Sequence, residues 1–227
     1  GPLQTSQQEL FQIWLNLPSR EKMTRPRVQL LGPGKVEENV YSDLFGDVSS
    51  LEIPTVNPTP GVTVKVIGGG YSGATSKVKT ATDVTLLHVF LNKEASRPHV
   101  RWEMDEVPAT HNAFFYVREG RVRVNCEDGE EGKEINAHEL CLLERNNGRY
   151  HIEIEAVSDK ADLLFFAGEP IMEPIATYGS MVMNTEREII KAYNDYEKGD
   201  FGRAWEQSLD DSSWKDHVRK HRPRGYD

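Results

Sequence analysis

The stretch that decides the fold lies near the carboxyl end of the chain and reads Gly168-Glu169-Pro170-Ile171-Met172-Glu173-Pro174-Ile175, followed by Tyr178-Gly179-Ser180-Met181-Val182-Met183-Asn184-Thr185. Glu169 and Glu173 each precede a proline, a position that favours extended backbone. Because no complementary catalytic group accompanies them, these carboxylates suit a structural corner. After the corner, Thr185 and Glu188 predict a capping box that starts a helix, and Gly199 ends it. We expect the corner to fasten this C-terminal helix.

Upstream of the corner, short segments rich in β-branched and aromatic residues alternate with turn residues. The segments that predict strands are Val62–Ile67, Val84–Leu91, Ala113–Val117, Val122–Asn125, Leu140–Glu144, His151–Val157 and Leu163–Ala167. Short strands at this spacing favour an antiparallel sandwich or barrel.

Parts of the chain resemble the pirin family of two-domain cupin proteins. They are the quoted stretch, where the family pattern reads G-E-P-x-x-E-P-I and then Y-G-P-F-V-M-N-T, the segment Trp14-Leu15-Asn16-Leu17-Pro18-Ser19 with Lys22-Met23, and the strand Gly61-Val62-Thr63-Val64-Lys65-Val66-Ile67-Gly68. The resemblance runs from about Phe11 to about Trp205. It implies an all-β fold, a cupin double-stranded β-helix (barrel) with a C-terminal α-helix. The chain departs from the family at Ser180-Met181, where Pro-Phe is usual, and this leaves the loop less rigid.

The resemblance also predicts the domain organisation. Residues 1–31 hold a cleavage scar and the residual strand Phe11–Leu17 of a missing N-terminal cupin domain. Residues 32–60 form a linker, residues 61–184 the C-terminal cupin domain, and residues 185–227 the helix and a basic tail. Since the strand Phe11–Leu17 is apolar on one face, we expect it to fold back on its own barrel or to pair with a second copy as a homodimer.

Charge and composition exclude several classes of function. The net charge of −9 opposes direct nucleic-acid binding, and the basic tail from Lys215 to Arg224 is expected to be solvated. Cys126 and Cys141 are too few for a disulfide scaffold, so we expect small core residues in a cytoplasmic or nuclear protein. No apolar run approaches the roughly 20 residues that span a bilayer, and no membrane association is expected.

The metal-binding pattern of cupins is degenerate in this chain. If Gly120 closes the first motif, its glutamate position falls on Ala113, and its histidine positions fall near Val107. In the second motif His151 fits, but Glu155 stands where asparagine is usual. The candidates that remain for a non-haem iron or manganese site are His99, His111 and His151. We expect them to be surface or hydrogen-bonded histidines, with no metal or other cofactor in this chain and no catalytic residue.

Two further patterns have structural interpretations. Gly68-Gly69-Gly70-Tyr71-Ser72-Gly73 matches G-x-G-x-x-G, but no helical period follows it, so the glycines predict a turn rather than a nucleotide site. His88 is in phase with Val84, Leu86 and Phe90, which predicts a core or cavity-lining histidine with a hydrogen-bond partner.

The resemblance implies two functions for the parent protein. Pirins are described as iron-binding transcriptional co-regulators, which act through protein partners, or as iron-dependent quercetin 2,3-dioxygenases. In that family the iron ligands are histidines of the first domain. We therefore expect iron in the missing N-terminal domain, and we expect this chain to be a metal-free structural and interaction module. The alternative is that it forms part of a quercetin 2,3-dioxygenase-like oxidoreductase.

Overall fold

The computed structural model describes residues 9–23, 31–32, 52–125, 132–144 and 150–200. Its contacts divide the described residues into two units, one that contains residues 9–23 and 171–200 and one that contains the described residues from 31 to 170. Cys126, the tail from Lys215 to Arg224 and most of the predicted linker lie outside the described residues. Among the described residues no helix is long and apolar enough to cross a membrane.

The larger unit consists of antiparallel strands. They are β1 (Thr55–Val56), β2 (Val62–Gly68), β3 (Gly70–Tyr71), β4 (Ala74–Thr75), β5 (Val84–Asn92), β6 (Arg101–Met104), β7 (Asn112–Glu119), β8 (Arg121–Asn125), β9 (Lys133–Asn136), β10 (Leu140–Leu143), β11 (Ile152–Ala156) and β12 (Lys160–Gly168). A six-stranded sheet has the order β1-β2-β5-β12-β7-β10, and a four-stranded sheet has the order β6-β11-β8-β9. The predicted strands are confirmed, while β1, β3, β4, β6 and β9 were not predicted.

The inner faces of the two sheets share one hydrophobic core. Alternate residues of each strand point into it, as the period of a strand requires. Its largest fully buried side chains include Trp102, Phe115 and Phe165. Burying a side chain of this size contributes about 1.5–3 kcal/mol. The all-β class predicted from the sequence is confirmed.

The predicted position of His88 in the core is wrong. The core phase of β5 is Leu87, Val89 and Leu91, which are fully buried, and His88 lies half-buried on the opposite face of the sheet. There its Nε2 lies 3.4 Å from Oδ1 of Asp162. Both faces of β5 carry apolar residues, so alternation alone does not decide which face is inside.

The glycine-rich segment forms a turn and a hairpin, as predicted. Gly69 has a φ of +72°, and a Cβ atom there would lie 2.3 Å from the carbonyl oxygen of Val84. Only glycine tolerates that conformation and that close approach. The hairpin β3–β4 follows, where a dinucleotide site would need a helix.

The smaller unit contains β13 (Ala176–Tyr178), β14 (Met181–Met183) and the helix α1 (Glu186–Glu197). The predicted cap is confirmed, because the N–H of Glu188 donates to Oγ1 of Thr185 over 3.3 Å. The carboxylate of Glu188 accepts from the N–H of Asn184 over 3.2 Å, one residue earlier than in a standard capping box. The apolar stripe of α1 is partly packed, since Ile189 is buried and Ile190 is 63% exposed.

The predicted strand Phe11–Leu17 is wrong. Residues 9–18 form no strand, and a 3₁₀ turn, Ser19–Glu21, follows. The segment is held by polar contacts instead: Nζ of Lys22 donates to Oδ1 of Asn16 over 2.8 Å and to the carbonyl oxygen of Val182 over 3.3 Å. A strand needs a backbone partner for its N–H and C=O groups, and alternation of apolar residues does not supply one.

Candidate functional site

The space between the sheets, where a cupin places its inward-facing ligands, is filled by apolar side chains. The few polar side-chain groups in this space have hydrogen-bond partners. The indole N–H of Trp102 donates to the hydroxyl of Tyr71 over 2.9 Å, and that hydroxyl donates to the carbonyl oxygen of Glu103 over 3.1 Å. Burial raises the pKa of Tyr71 and outweighs the opposing effect of the indole. This pair closes the interior beside the glycine turn.

His99 lies in a surface ion cluster. Its Nδ1 is 2.8 Å from Oε1 of Glu155, and its side chain is 75% exposed. Arg101 reaches the other oxygen of Glu155 over 3.4 Å. The hydrogen bond with His99 lowers the pKa of Glu155, and the charge of Arg101 acts in the same direction. These contacts supply the Glu155 carboxylate on β11 with a hydrogen-bond partner and an ion-pair partner.

His151 is exposed at the start of β11. Tyr150, Ile152 and Ile154 are buried, so the strand has the phase predicted from the sequence. His151 therefore points away from the core, and it is not brought near His99 or His111 as part of a ligand group.

His111 is the one candidate that the fold buries. Its N–H donates to the carbonyl oxygen of Pro108 over 3.0 Å, and its own carbonyl accepts from the hydroxyl of Tyr150 over 3.1 Å. The residue is 7% exposed, and its Nδ1 has no hydrogen-bond partner in the described part of the chain. These two hydrogen bonds fix the backbone of His111 directly before β7.

An open cleft of about 780 Å³ lies between His111 and the glycine turn. Its walls include Glu106, whose carboxylate accepts from the N–H of Ser72 over 3.1 Å, and Ser76, whose hydroxyl donates to the carbonyl oxygen of Ile67 over 2.7 Å. Glu106 and Ser76 therefore hold the backbone around the turn. Sequence analysis missed this cleft, since its walls come from segments far apart in the chain.

These donors do not fit an iron site. Iron of the cupin kind needs several imidazole and carboxylate ligands on one cavity. In the residues that the structure describes, no three His, Cys, Asp or Glu side chains are grouped so that they could hold a metal ion. The buried Nδ1 of His111 is a single donor.

A second polar cluster, also missed, lies on the outer face of the six-stranded sheet. Asp162 on β12 is 4% exposed. The Nε of Arg118 donates to its Oδ1 over 2.8 Å, and an NH2 group of the same guanidinium donates to Oδ2. Burial would raise the pKa of Asp162, but the interactions with His88 and Arg118 outweigh burial and hold the pKa below its usual value. The sequence feature that could have indicated this cluster is Asp162 itself, an acidic residue in an apolar strand.

The corner predicted from the sequence is held by its second glutamate. The carboxylate of Glu173 accepts from the N–H of Ser19 over 2.7 Å and from Nδ2 of Asn184 over 2.9 Å. The hydrogen bond from the Ser19 N–H lowers the pKa of Glu173. The carboxylate thus joins the N-terminal segment to the residue before the helix cap, in agreement with a structural role. Cys141 packs against the core, as predicted.

Comparison with known proteins agrees with this architecture. Residues 96–202 match the pirin C-terminal cupin domain. Pirin-1 of Arabidopsis thaliana is 33% identical over 85% of this chain and 58% of its own length, and pirin of Homo sapiens is 30% identical over 92% and 60%. A crystal structure of quercetin 2,3-dioxygenase from Acinetobacter baumannii is 27% identical, with a TM-score of 0.58 over 83% of this chain and 55% of that one.

The chain spans 58% and 60% of the length of those two curated relatives. The predicted fold, a cupin barrel with a C-terminal helix, is confirmed by the paired sheets, the helix α1 and the matching domain. On this evidence the chain belongs to the pirin family and carries its C-terminal cupin domain.

Proposed function

We propose that this chain acts as a structural and protein-interaction module that holds no metal of its own. The observation that carries the proposal is the filled interior: Trp102, Phe115 and Phe165 are fully buried where a metal cupin would direct its ligands. Neither His99 nor His151 turns toward that interior. A cupin domain with an apolar interior of this kind can still present its outer surface to protein partners.

The wider role in this proposal is that of a parent protein acting as an iron-binding transcriptional co-regulator. Its iron would be bound outside the residues described above. The net charge of −9 on this chain favours protein partners over direct contact with nucleic acid. With only two cysteines in the sequence, a reducing cytoplasmic or nuclear location is part of the same proposal.

The alternative is a quercetin 2,3-dioxygenase-like oxidoreductase. The similarity to the Acinetobacter baumannii protein of that name favours it. Dioxygen chemistry of this kind requires a redox metal with open coordination positions. The donors of the described residues do not supply such a site, so in this alternative the activity belongs to the full-length parent.

Elemental analysis tests whether this chain holds a metal of its own. The purified protein is incubated anaerobically with Fe²⁺, desalted and analysed for iron, and the loss of quercetin absorbance is followed in air. We expect far less than one iron per chain and no quercetin consumption.

The control variant is His138→Ala, which removes an exposed histidine outside the three candidates. Iron near one equivalent per chain that is lost in His111→Ala or His151→Ala, but kept in His138→Ala, would overturn the proposal.

The N-terminal segment remains a proposed route to a homodimer. It is not a strand, but Trp14 is 61% exposed and Ile13 is 50% exposed. Trp14→Lys should weaken self-association if this segment forms the contact, as sedimentation velocity would show.

A further inference from the structure

The cleft between His111 and the glycine turn is a concave space that the proposed function does not use. It has a volume of about 780 Å³, and the residues that line it belong to the larger unit. Binding sites for small molecules are commonly concave and measure about 300–1,000 Å³. The cleft therefore has room for a small molecule, and the chemistry of its walls decides which kind.

One wall of the cleft is the hairpin β3–β4, which is fixed by its own hydrogen bonds. Its turn residues Ser72 and Gly73 have φ values of +49° and +76°, as a tight two-residue hairpin turn requires. The carboxylate of Glu106 accepts from the N–H of Ser72 over 3.1 Å, and the N–H of Ser76 donates to the carbonyl oxygen of Gly69 over 2.9 Å. This wall therefore needs little ordering when a ligand binds.

His111 brings a buried imidazole to the cleft. The residue is 7% exposed and lies among those that line the space. Of its two ring nitrogens, only Nδ1 is among the described buried atoms that lack a hydrogen-bond partner, so Nε2 is the nitrogen that a molecule in the cleft can reach. A buried N–H without an acceptor is rarer in proteins than an unused lone pair. We therefore assign the proton of the neutral imidazole to Nε2, which makes this atom a hydrogen-bond donor.

The charged side chains of the cleft disfavour an anionic ligand. Among the described residues that line it, Asp83 and Glu106 are acidic and Lys79 is basic. Burial is the main cause of the raised pKa of Tyr71 in the same wall, and the negative charges of Glu106 and Asp105 raise that pKa further. The local electrostatic field is therefore negative, and it repels a phosphate or a carboxylate group.

The same walls suit neither a metal ion nor a flat aromatic molecule. In the part of the chain that the structure describes, no three His, Cys, Asp or Glu side chains are grouped so that they could hold a metal. Tyr71 is the one aromatic residue besides His111 among the described residues of the walls, and it is 6% exposed. It therefore offers little ring surface on which a ligand could stack.

We propose that this cleft binds a small uncharged molecule with several hydroxyl groups, of the sugar or polyol class. A hydroxyl group both donates and accepts hydrogen bonds, so it suits walls that offer both kinds of partner. Nε2 of His111 is the donor. The acceptors are the carboxylate of Asp83 and the hydroxyls of Thr75 and Thr85, and the half-buried Val84 adds apolar surface for C–H groups. Because this binding requires no metal, it is independent of the function proposed above.

The test is titration of the full chain with three matched sugars, followed by two-dimensional proton–nitrogen NMR spectra. Galactose is uncharged, galactosamine carries a positive charge and galacturonate a negative one, on the same ring. EDTA in the buffer keeps metal ions out of the measurement. We expect galactose to cause saturable shifts at the amides of Gly70, Gly73 and Thr85, which line the cleft, with a Kd in the millimolar range. Galacturonate should bind at least about fivefold more weakly than galactose, and galactosamine within about threefold of it.

Three variants test the role of His111. His111→Phe keeps a ring of similar size and removes both nitrogens, so the Kd of galactose should rise by about fivefold to tenfold. His111→Gln keeps a hydrogen-bond donor and should recover part of the affinity. His151→Phe is the matched control, since His151 is exposed and does not line the cleft, and its Kd should stay within about twofold of the wild type. Because Nδ1 has no partner to lose, His111→Phe should melt at a temperature no lower than that of the wild type.

Asp83→Ala is a second variant that leaves the core packing intact, because Asp83 is exposed. It should raise the Kd of galactose by about threefold or more. The absence of saturable shifts with galactose up to roughly 50 mM overturns the proposal. So do shifts confined to residues outside the cleft, tighter binding of galacturonate than of galactose, or binding of galactosamine more than about tenfold tighter. A Kd that both His111→Phe and Asp83→Ala leave unchanged also overturns it.

Discussion

The polar pair that closes the core interior offers the sharpest test of how this domain is held together. Tyr71→Phe removes one hydroxyl and leaves the ring in place. That hydroxyl accepts from the indole N–H of Trp102 over 2.9 Å and donates to the carbonyl oxygen of Glu103 over 3.1 Å. Trp102 is 1% exposed, so its N–H has no access to water once the hydroxyl is gone.

The expected cost follows from these contacts. Each lost hydrogen bond is worth about 1 kcal/mol net, and a buried donor left without an acceptor costs about 1–3 kcal/mol. Since part of the second figure is already contained in the first, we expect Tyr71→Phe to lower the free energy of unfolding by about 2–3 kcal/mol. For a domain of this size that corresponds to a fall in Tm of roughly 5–10 °C.

The assay is urea denaturation followed by far-ultraviolet circular dichroism, at pH 7. Tyr150→Phe is the matched control, because Tyr150 is equally buried but only donates, to the carbonyl oxygen of His111. It should cost about 1 kcal/mol. A cycle with Trp102→Phe completes the design. In the double variant neither the hydroxyl nor the indole N–H remains. Its cost in free energy of unfolding should therefore be about 1–2 kcal/mol smaller than the sum of the costs of the two single variants.

Alkaline pH gives an independent readout of the same hydroxyl. Burial raises the pKa of Tyr71, so the folded protein holds this proton more tightly than the unfolded chain. The resulting stabilisation is complete below about pH 10 and is lost as pH rises further. Tyr71→Phe should therefore lose less stability than the wild type above that pH. The reasoning would be refuted if Tyr71→Phe cost no more free energy of unfolding than Tyr150→Phe. It would also be refuted if the costs of Tyr71→Phe and Trp102→Phe were additive in the double variant.

Asp162→Asn should lower the free energy of unfolding at pH 7 by about 2–3 kcal/mol, because it removes the buried carboxylate charge that accepts two hydrogen bonds from the Arg118 guanidinium. Since the pKa of Asp162 is held low, this stabilisation is present above about pH 4 and lost as pH falls below it, so acid titration should bring the wild type toward the variant. Gly69→Ala should cost well over the about 1 kcal/mol expected for Gly73→Ala, since both have positive φ but only the first meets backbone atoms; equal melting temperatures would contradict this. Thr185→Ala should cost about 1 kcal/mol by loss of the helix cap, measured by urea denaturation against Thr185→Ser.

The strands and the helix were predictable because their signals are local. Val62–Gly68 carries a β-branched alternation that a half-buried strand requires, and glycines end it. The helix begins at the predicted cap because Thr185 and Glu188 are three residues apart and satisfy each other. For the candidate site, alternation predicted the phase of β11, in which Tyr150, Ile152 and Ile154 are buried and His151 is exposed.

Two expectations failed for related physical reasons. Both faces of β5 are apolar, because the outer face of the sheet carries its own rows of Phe and Leu, so periodicity placed His88 on the wrong side. The segment Phe11–Leu17 alternates like a strand, yet strand formation depends on an available edge, and residues 9–18 meet side chains instead. An alternating sequence pattern shows which residues share a face of the segment, but the packing of the folded chain decides what that face contacts.

The sequence by itself determined the all-β class, the positions of the main strands, the helix cap and the glycine turn, since each depends on residues within one or two turns of chain. Tertiary structure alone decided the contacts between residues far apart in sequence. Arg118 and Asp162 are separated by 44 positions, Tyr71 and Trp102 by 31, and Ser19 and Glu173 by 154. Such pairs form because strand register and core packing bring their backbones together, and no local propensity encodes that distance.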